Sequence, residues 1–154
     1  MIKKIALAAI IILFLNNCNY EPIYSLKNEK FSIGNLQSTG DKKINKLLIK
    51  KLEIYKNDKA NKIKYNLNIS SEVIKNTSSK DKKGNPTTFT LTLSIKIEVK
   101  NSLGEEKSKI FEENTSYNNN NNKFDLRKYE NSIKNNMIES INENIILYLQ
   151  NLNY

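Results

Sequence analysis

The chain has 154 residues, enough for one domain, with 38% hydrophobic and 27% charged residues and a formal net charge of +9. Lysine, asparagine and isoleucine fill 71 positions, and AT-rich codons specify all three, so the basic balance is weak ground for a nucleic-acid partner. With no histidine, one cysteine and four scattered glycines, the composition excludes Ser-His-Asp and Cys-His catalysis, histidine-ligated zinc or haem, an intramolecular disulfide and a glycine-rich phosphate loop.

Met1-Ile2-Lys3-Lys4 is a short basic start, and Ile5 to Leu15 is an uninterrupted apolar run of 11 residues. A spanning helix needs about 20 apolar residues. The run is too short for that and has the layout of a secretory signal, here residues 1–17. The alternative is a buried helix of the mature fold. The only cysteine, Cys18, follows directly. That placement resembles a bacterial lipobox, in which the cysteine becomes the first mature residue and is acylated on sulfur and nitrogen. Leu15 fits the box, while Asn16 and Asn17 replace its usual small residues. Acyl chains contribute about 0.8 kcal/mol per buried CH₂, and two or more chains anchor stably. Removal of Lys3 and Lys4 lowers the net charge from +9 to +7.

Residues 18–30 read as a lipidated tether and 31–154 as a single domain. Phe31 to Leu36 predicts a first short strand with Phe31 and Ile33 on one face, and Ser38-Thr39-Gly40-Asp41 is turn and cap chemistry. Ile44, Leu47, Leu48, Leu52 and Tyr55 form one face of a lysine-rich amphipathic helix that Asn57-Asp58-Lys59 ends. Ile63, Tyr65, Leu67 and Ile69 alternate with polar residues as a half-buried strand. Asn76 to Pro86 is polar and reads as an exposed hairpin loop.

Phe89, Leu91, Leu93, Ile95, Ile97 and Val99 alternate with Thr, Ser, Lys and Glu in the clearest strand of the chain. Asn101 to Gly104 is a turn, and Lys107 to Tyr117 a return strand at a sheet edge, with Phe111, Thr115 and Tyr117 facing inward. Five asparagines, Asn118 to Asn122, form a low-complexity loop. From Asp125, a plausible N-cap, to Leu152, apolar residues recur every four positions from Tyr129 to Leu149. This helix needs nothing beyond a sheet to cover. The order β-α-β-β-β-α predicts an α+β two-layer sandwich, with about four strands and both helices on one face. The other face, rich in Thr, Ser, Lys and Asn, is wet or binds something polar.

The paired carboxylates Glu105-Glu106 and Glu112-Glu113 point to opposite strand faces, so neither pair converges on a substrate. No enzyme activity, cofactor or metal is expected. An exported protein does not normally meet nucleic acid, and the aromatics sit in the apolar faces rather than among the lysines. A lipid-anchored binding module remains. Lys80, Lys82 and Lys83 make a positive hairpin tip suited to anionic lipid headgroups or phosphorylated sugars. A merely solvated loop in a lysine-rich protein is the alternative.

Cys18-Asn19-Tyr20-Glu21-Pro22-Ile23-Tyr24 resembles the Cys-Gly-Phe-x-Pro-Leu-Tyr start of the LPS-assembly lipoprotein family LptE, especially its alphaproteobacterial members. Pro22 and Tyr24 match, and Asn19 replaces Gly. The Lys82-Lys83-Gly84-Asn85 turn before the long strand, the Ser116-Tyr117 ending and the long last helix are also similar. The resemblance implies an outer-membrane lipoprotein on the periplasmic face that plugs the β-barrel LptD. It implies binding of lipopolysaccharide at the tip, with Lys82 at the family's basic turn position and Lys80 and Lys83 adjacent by charge. Lys123 and Arg127 at the start of the last helix are further candidates, and Asn19 rather than Asp after the cysteine is consistent with outer-membrane sorting. The rival reading is a generic periplasm-facing lipoprotein adaptor, such as the auxiliary lipoprotein of an ABC transporter.

Overall fold

The structure, a computed structural model, describes residues 30–56 and 63–152. The predicted signal peptide, Cys18, most of the tether and the Asn57-Asp58-Lys59 helix stop lie outside the described residues. The elements are β1 (Phe31–Gly40), α1 (Lys42–Leu52), a short 3₁₀ turn (Glu53–Tyr55), β2 (Ile63–Lys80), β3 (Pro86–Lys100), β4 (Glu106–Asn118) and α2 (Lys123–Gln150). The four strands form one sheet in the order β1-β2-β3-β4. β1 runs parallel to β2, with α1 as the crossover, and β2, β3 and β4 form an antiparallel meander. This is the expected α+β sandwich, with β4 at an edge.

Period-two patterning builds the core. Tyr65, Leu67 and Ile69 of β2 and Leu91 to Val99 of β3 place alternate side chains inward, and all are buried. Register pairs them directly, Leu67 with Val99 and Ile69 with Ile97. Ile44, Leu48 and Leu52 of α1 and Ile133, Met137, Ile138, Ile141, Ile145 and Leu149 of α2 cover that face. Lys51 of α1 pairs with Glu139 of α2 across the helix layer.

The β1–α1 corner is tightly specified. Gly40 has φ +95, and a Cβ there would lie 1.9 Å from the Ser71 carbonyl oxygen. Asp41 then caps α1, its Oδ1 accepting from the backbone N–H of Lys43 at 2.9 Å and of Ile44 at 3.0 Å. Asn45, buried in α1, donates to the Thr39 carbonyl at 2.8 Å and closes the corner.

Several expectations are corrected. β1 continues through Ser38 and Thr39 to Gly40, because its parallel register with β2 extends to Gly40 beside Ser71. The polar stretch from Asn76 is strand as far as Lys80: Asn76 pairs with Thr90 and Thr77 with Phe89, so pairing overrides composition and leaves a loop of only 81–85. Asn122, not Asp125, caps α2, its Oδ1 accepting from the N–H of Phe124 and Asp125. Asp125 lies in the first turn, where its charge complements the helix dipole. Tyr129 and Leu47 are exposed rather than on the core faces. A repeat of four residues drifts about 40° per step around an α-helix, so Tyr129 at the start of α2 has rotated off the face that Ile133 to Leu149 share. Thr115 is half-buried on the inward face between Phe111 and Tyr117, which are buried.

Candidate functional site

The β2–β3 hairpin ends in a compact loop built around Asp81. Its carbonyl accepts from Gly84 N–H at 3.0 Å, and its own N–H donates to the Asn85 carbonyl at 2.9 Å. Gly84 has φ +84, the left-handed conformation that turns the chain back toward β3 within the 81–85 loop. Asp81 Oδ1 also accepts from the backbone N–H of Lys83 and of Asn85, both at 2.8 Å, and Asn85 Nδ2 donates to Oδ2 at 3.0 Å. The Asn85 side chain and backbone hold the Asp81 carboxyl below the usual carboxylate range. Asp81 is thus an ionised organiser of the turn. Its role was readable only as a local Asp-to-backbone pattern inside the lysine cluster.

This loop presents the predicted lysines. Lys82 and Lys83 occupy the two central positions of the Asp81–Gly84 turn, and Lys80 ends β2 opposite Pro86. All three are exposed, and none forms an ion pair with another described residue. Three lysines against one aspartate leave the tip a net +2.

The β4–α2 loop is tied to the same end of the fold. Asn119 N–H donates to the Thr87 carbonyl at 2.8 Å, and its side-chain amide donates to the Pro86 carbonyl at 2.8 Å. Lys123 Nζ reaches Asn119 Oδ1 and the Asn120 carbonyl, each at 3.4 Å. The structure therefore gathers Lys80, Lys82, Lys83 and Lys123 at one end. Arg127, one turn further along α2, is exposed.

Beneath the tip lies a clamp that the sequence reading missed. Lys75 continues the inward alternation of β2 after Val73 and donates to Glu130 Oε1 of α2 at 2.5 Å. Its ammonium sits 3.9 Å from the centre of the Phe89 ring. Tyr117 donates to the same Glu130 oxygen at 2.7 Å, and its ring packs against Phe89 and Tyr129. Burial pushes the Glu130 carboxyl up, but the Lys75 and Tyr117 hydrogen bonds and the Lys75 and Lys134 charges outweigh it, so its pKa is lowered. Burial, and then the bond and charge of Glu130, push the Tyr117 hydroxyl up. Lys75 is neutralised here, whereas Lys80, Lys82 and Lys83 have no ion-pair partner among the described residues. Following the alternation two residues beyond Val73 would have located Lys75; nothing in the sequence pointed to Glu130 as its partner.

The outer sheet face carries hydroxyls in rows, with Thr90 bonded to Ser78 on one side and to Ser116, at 2.8 Å, on the other. It is polar, as expected, and its charges include the ion pairs of Lys96 with Glu98 at 2.7 Å and of Lys100 with Glu106 at 2.9 Å.

No family model matches the chain, and no curated protein matches it in sequence. Its architecture does match solved structures. Rare lipoprotein B from Shewanella oneidensis superposes with a TM-score of 0.53 at 18% identity, over 75% of this chain and 92% of that one. An uncharacterised lipoprotein B from Nitrosomonas europaea gives 0.56 at 13%, over 78% and 83%. A putative lipoprotein from Caulobacter crescentus gives 0.52 at 12%, over 75% and 87%. At such identities the likeness concerns the backbone architecture: the chain has the four-stranded, two-helix α+β fold of these solved bacterial lipoproteins.

Proposed function

We propose that this chain is an outer-membrane lipoprotein, anchored through acylated Cys18 on the periplasmic face, that acts with an LptD-type β-barrel in placing lipopolysaccharide. The observation that carries the reading is the hairpin tip. Its three unpaired lysines stand on a turn held by Asp81 and, farther down the hairpin, on the Lys75–Glu130–Tyr117 clamp. Ammonium groups carried on an ordered turn bind phosphate without first giving up ion pairs of their own. The resemblance of residues 18–24 and the shared fold of solved lipoproteins support the same reading.

Three measurements test it. Purification from the native membrane should recover a large β-barrel partner, and its absence sinks the LptD part. Lys82→Glu with Lys83→Glu should weaken lipopolysaccharide binding about tenfold or more, with an unchanged circular dichroism spectrum, because each close charge reversal costs about 1 kcal/mol near a surface. Unchanged binding makes the loop solvated charge. Cys18→Ser should release the chain from the membrane fraction.

A further inference from the structure

The end of the domain opposite the tip exposes several large apolar side chains. The parallel register sets Phe31, the first residue of β1, beside Ile63, the first of β2. Lys100 pairs with Glu106, so the β3–β4 turn lies at this end as well. α1 descends here from the Gly40 corner, and the Tyr55 ring stacks on Phe31 at 5.6 Å. α2 runs antiparallel to β4, with Glu130 at Tyr117, Ser140 at Glu113 and Tyr148 at Phe111, which brings its last turns to the same end.

Four large apolar side chains are exposed there: Ile54 at 55%, Ile63 at 51%, Leu103 at 85% and Leu147 at 42%. Leu103 is the clearest of them. Asn101 Oδ1 accepts from the backbone N–H of Leu103 at 3.0 Å and of Glu105 at 2.9 Å, and Gly104 has φ +87. An ordered turn thus holds a leucine out in solvent, where it contributes nothing to the core. Lys30 and Lys56 are exposed at the same end, as are Glu53, 3.6 Å from Lys56, and Glu105 and Glu106.

This is also the end at which the N-terminal segment enters, at Lys30. The 12 residues from Cys18 to Glu29 can reach no farther than about 40 Å, by covalent geometry alone. An anchored domain therefore keeps this end close to the bilayer, where even a weak surface is used at a high effective concentration. Apolar side chains beside lysines suit the headgroup boundary of an anionic leaflet.

We infer that, before it meets a protein partner, the anchored chain docks this end on an anionic bilayer, with Leu103 and Ile54 inserted at the headgroup boundary. The inference rests on the lipid anchor proposed above. β3 alone separates the two ends by roughly 45 Å (15 residues), so docking holds the lysine tip well away from the leaflet. Engagement with a barrel would then begin from an oriented molecule.

The chain contains no tryptophan, so one introduced tryptophan is a clean reporter. The full lipidated chain carrying Leu103→Trp, Ile54→Trp or, at the opposite end, Phe124→Trp is reconstituted in phosphatidylethanolamine–phosphatidylglycerol vesicles. Half of the preparations use acyl chains brominated near the headgroup. All three sites are exposed, so the fold is retained. Leu103→Trp and Ile54→Trp should lose at least half their emission to bromine, and Phe124→Trp should lose almost none. Absence of quenching in a chain that still sediments with the vesicles overturns the docking and leaves the anchor standing, assigning this end to solvent or to a protein. Equal quenching at all three sites overturns it too. A chain that does not sediment overturns the anchor and the docking together.

Discussion

The Lys75–Glu130–Tyr117 clamp can be broken by one substitution with a calculable effect. Glu130→Ala removes the acceptor of two hydrogen bonds, from Lys75 at 2.5 Å and from Tyr117 at 2.7 Å. A hydrogen bond to a charged group contributes about 1.5–3 kcal/mol when shielded, but an exposed ion pair contributes about 0–1 kcal/mol. The Glu130 side chain is 15% exposed and that of Lys75 is 36% exposed, so the Tyr117 bond counts nearly in full and the Lys75 bond is discounted. The loss should be about 2–3 kcal/mol, or a fall in Tm of about 10 °C for a domain of this size. The pH dependence has a definite sign. Glu130 is held below its ordinary pKa, so its stabilisation is complete above the ordinary carboxylate range and is lost as pH falls through its lowered value. Thermal unfolding followed by circular dichroism at pH 7 and at successively lower pH is the assay. Wild type should lose stability on acidification more steeply than Glu130→Ala or Glu130→Gln. A Tm at pH 7 within about 3 °C of wild type, or an unchanged acid slope, would refute the clamp as a source of stability.

Other perturbations have equally specific outcomes. Gly40→Ala should cost at least about 2 kcal/mol, because it combines a left-handed backbone strain with a Cβ 1.9 Å from the Ser71 carbonyl oxygen; a neutral result in chemical denaturation would show the corner to be free to rearrange. Ile95→Ala, at a fully buried site in the middle of β3, should lose about 2–5 kcal/mol in the same assay, and a loss below 1 kcal/mol would contradict its central place in the core. Asp81→Ala removes three hydrogen bonds from the tip, so amide exchange at Lys83 and Asn85 should accelerate while β3 core amides keep their protection. Protection unchanged at Lys83 and Asn85 would remove Asp81 from its organising role.

Much of the architecture was legible because it rests on local periodicity. The alternation from Phe89 to Val99 and the helical spacing of Ile133 to Leu149 report burial directly, since a side chain's face follows from its place in the repeat. The lysine tip was legible for a related reason: no apolar residue between Asn76 and Asn85 permits burial there, so its lysines had to be exposed. Boundaries were less accessible. Whether Asn76 to Lys80 is strand depends on the Thr88–Thr92 segment facing it, and that partner is not a local property. The cap of α2 went to Asn122 rather than Asp125 because the chain turns off β4 there, held by Asn119 on Pro86 and Thr87.

The sequence by itself determined most of the core, though not that Leu47, Ile63 and Tyr129 are exposed, and also how many strands and helices exist, that the chain carries a basic turn, and that histidine-dependent chemistry is absent. These follow from composition and from the periods 2 and 3.6, which are properties of a chain of L-residues before it meets itself. Only the tertiary structure decided that β1 lies parallel to β2 at the sheet edge, that Glu130 neutralises Lys75 beneath the tip, and that Ile54, Ile63 and Leu103 share the end opposite the tip. Those pairings join residues up to 55 positions apart, as for Lys75 and Glu130. Their physical cause is the joint packing of the elements in one sheet and one core, which no local pattern encodes.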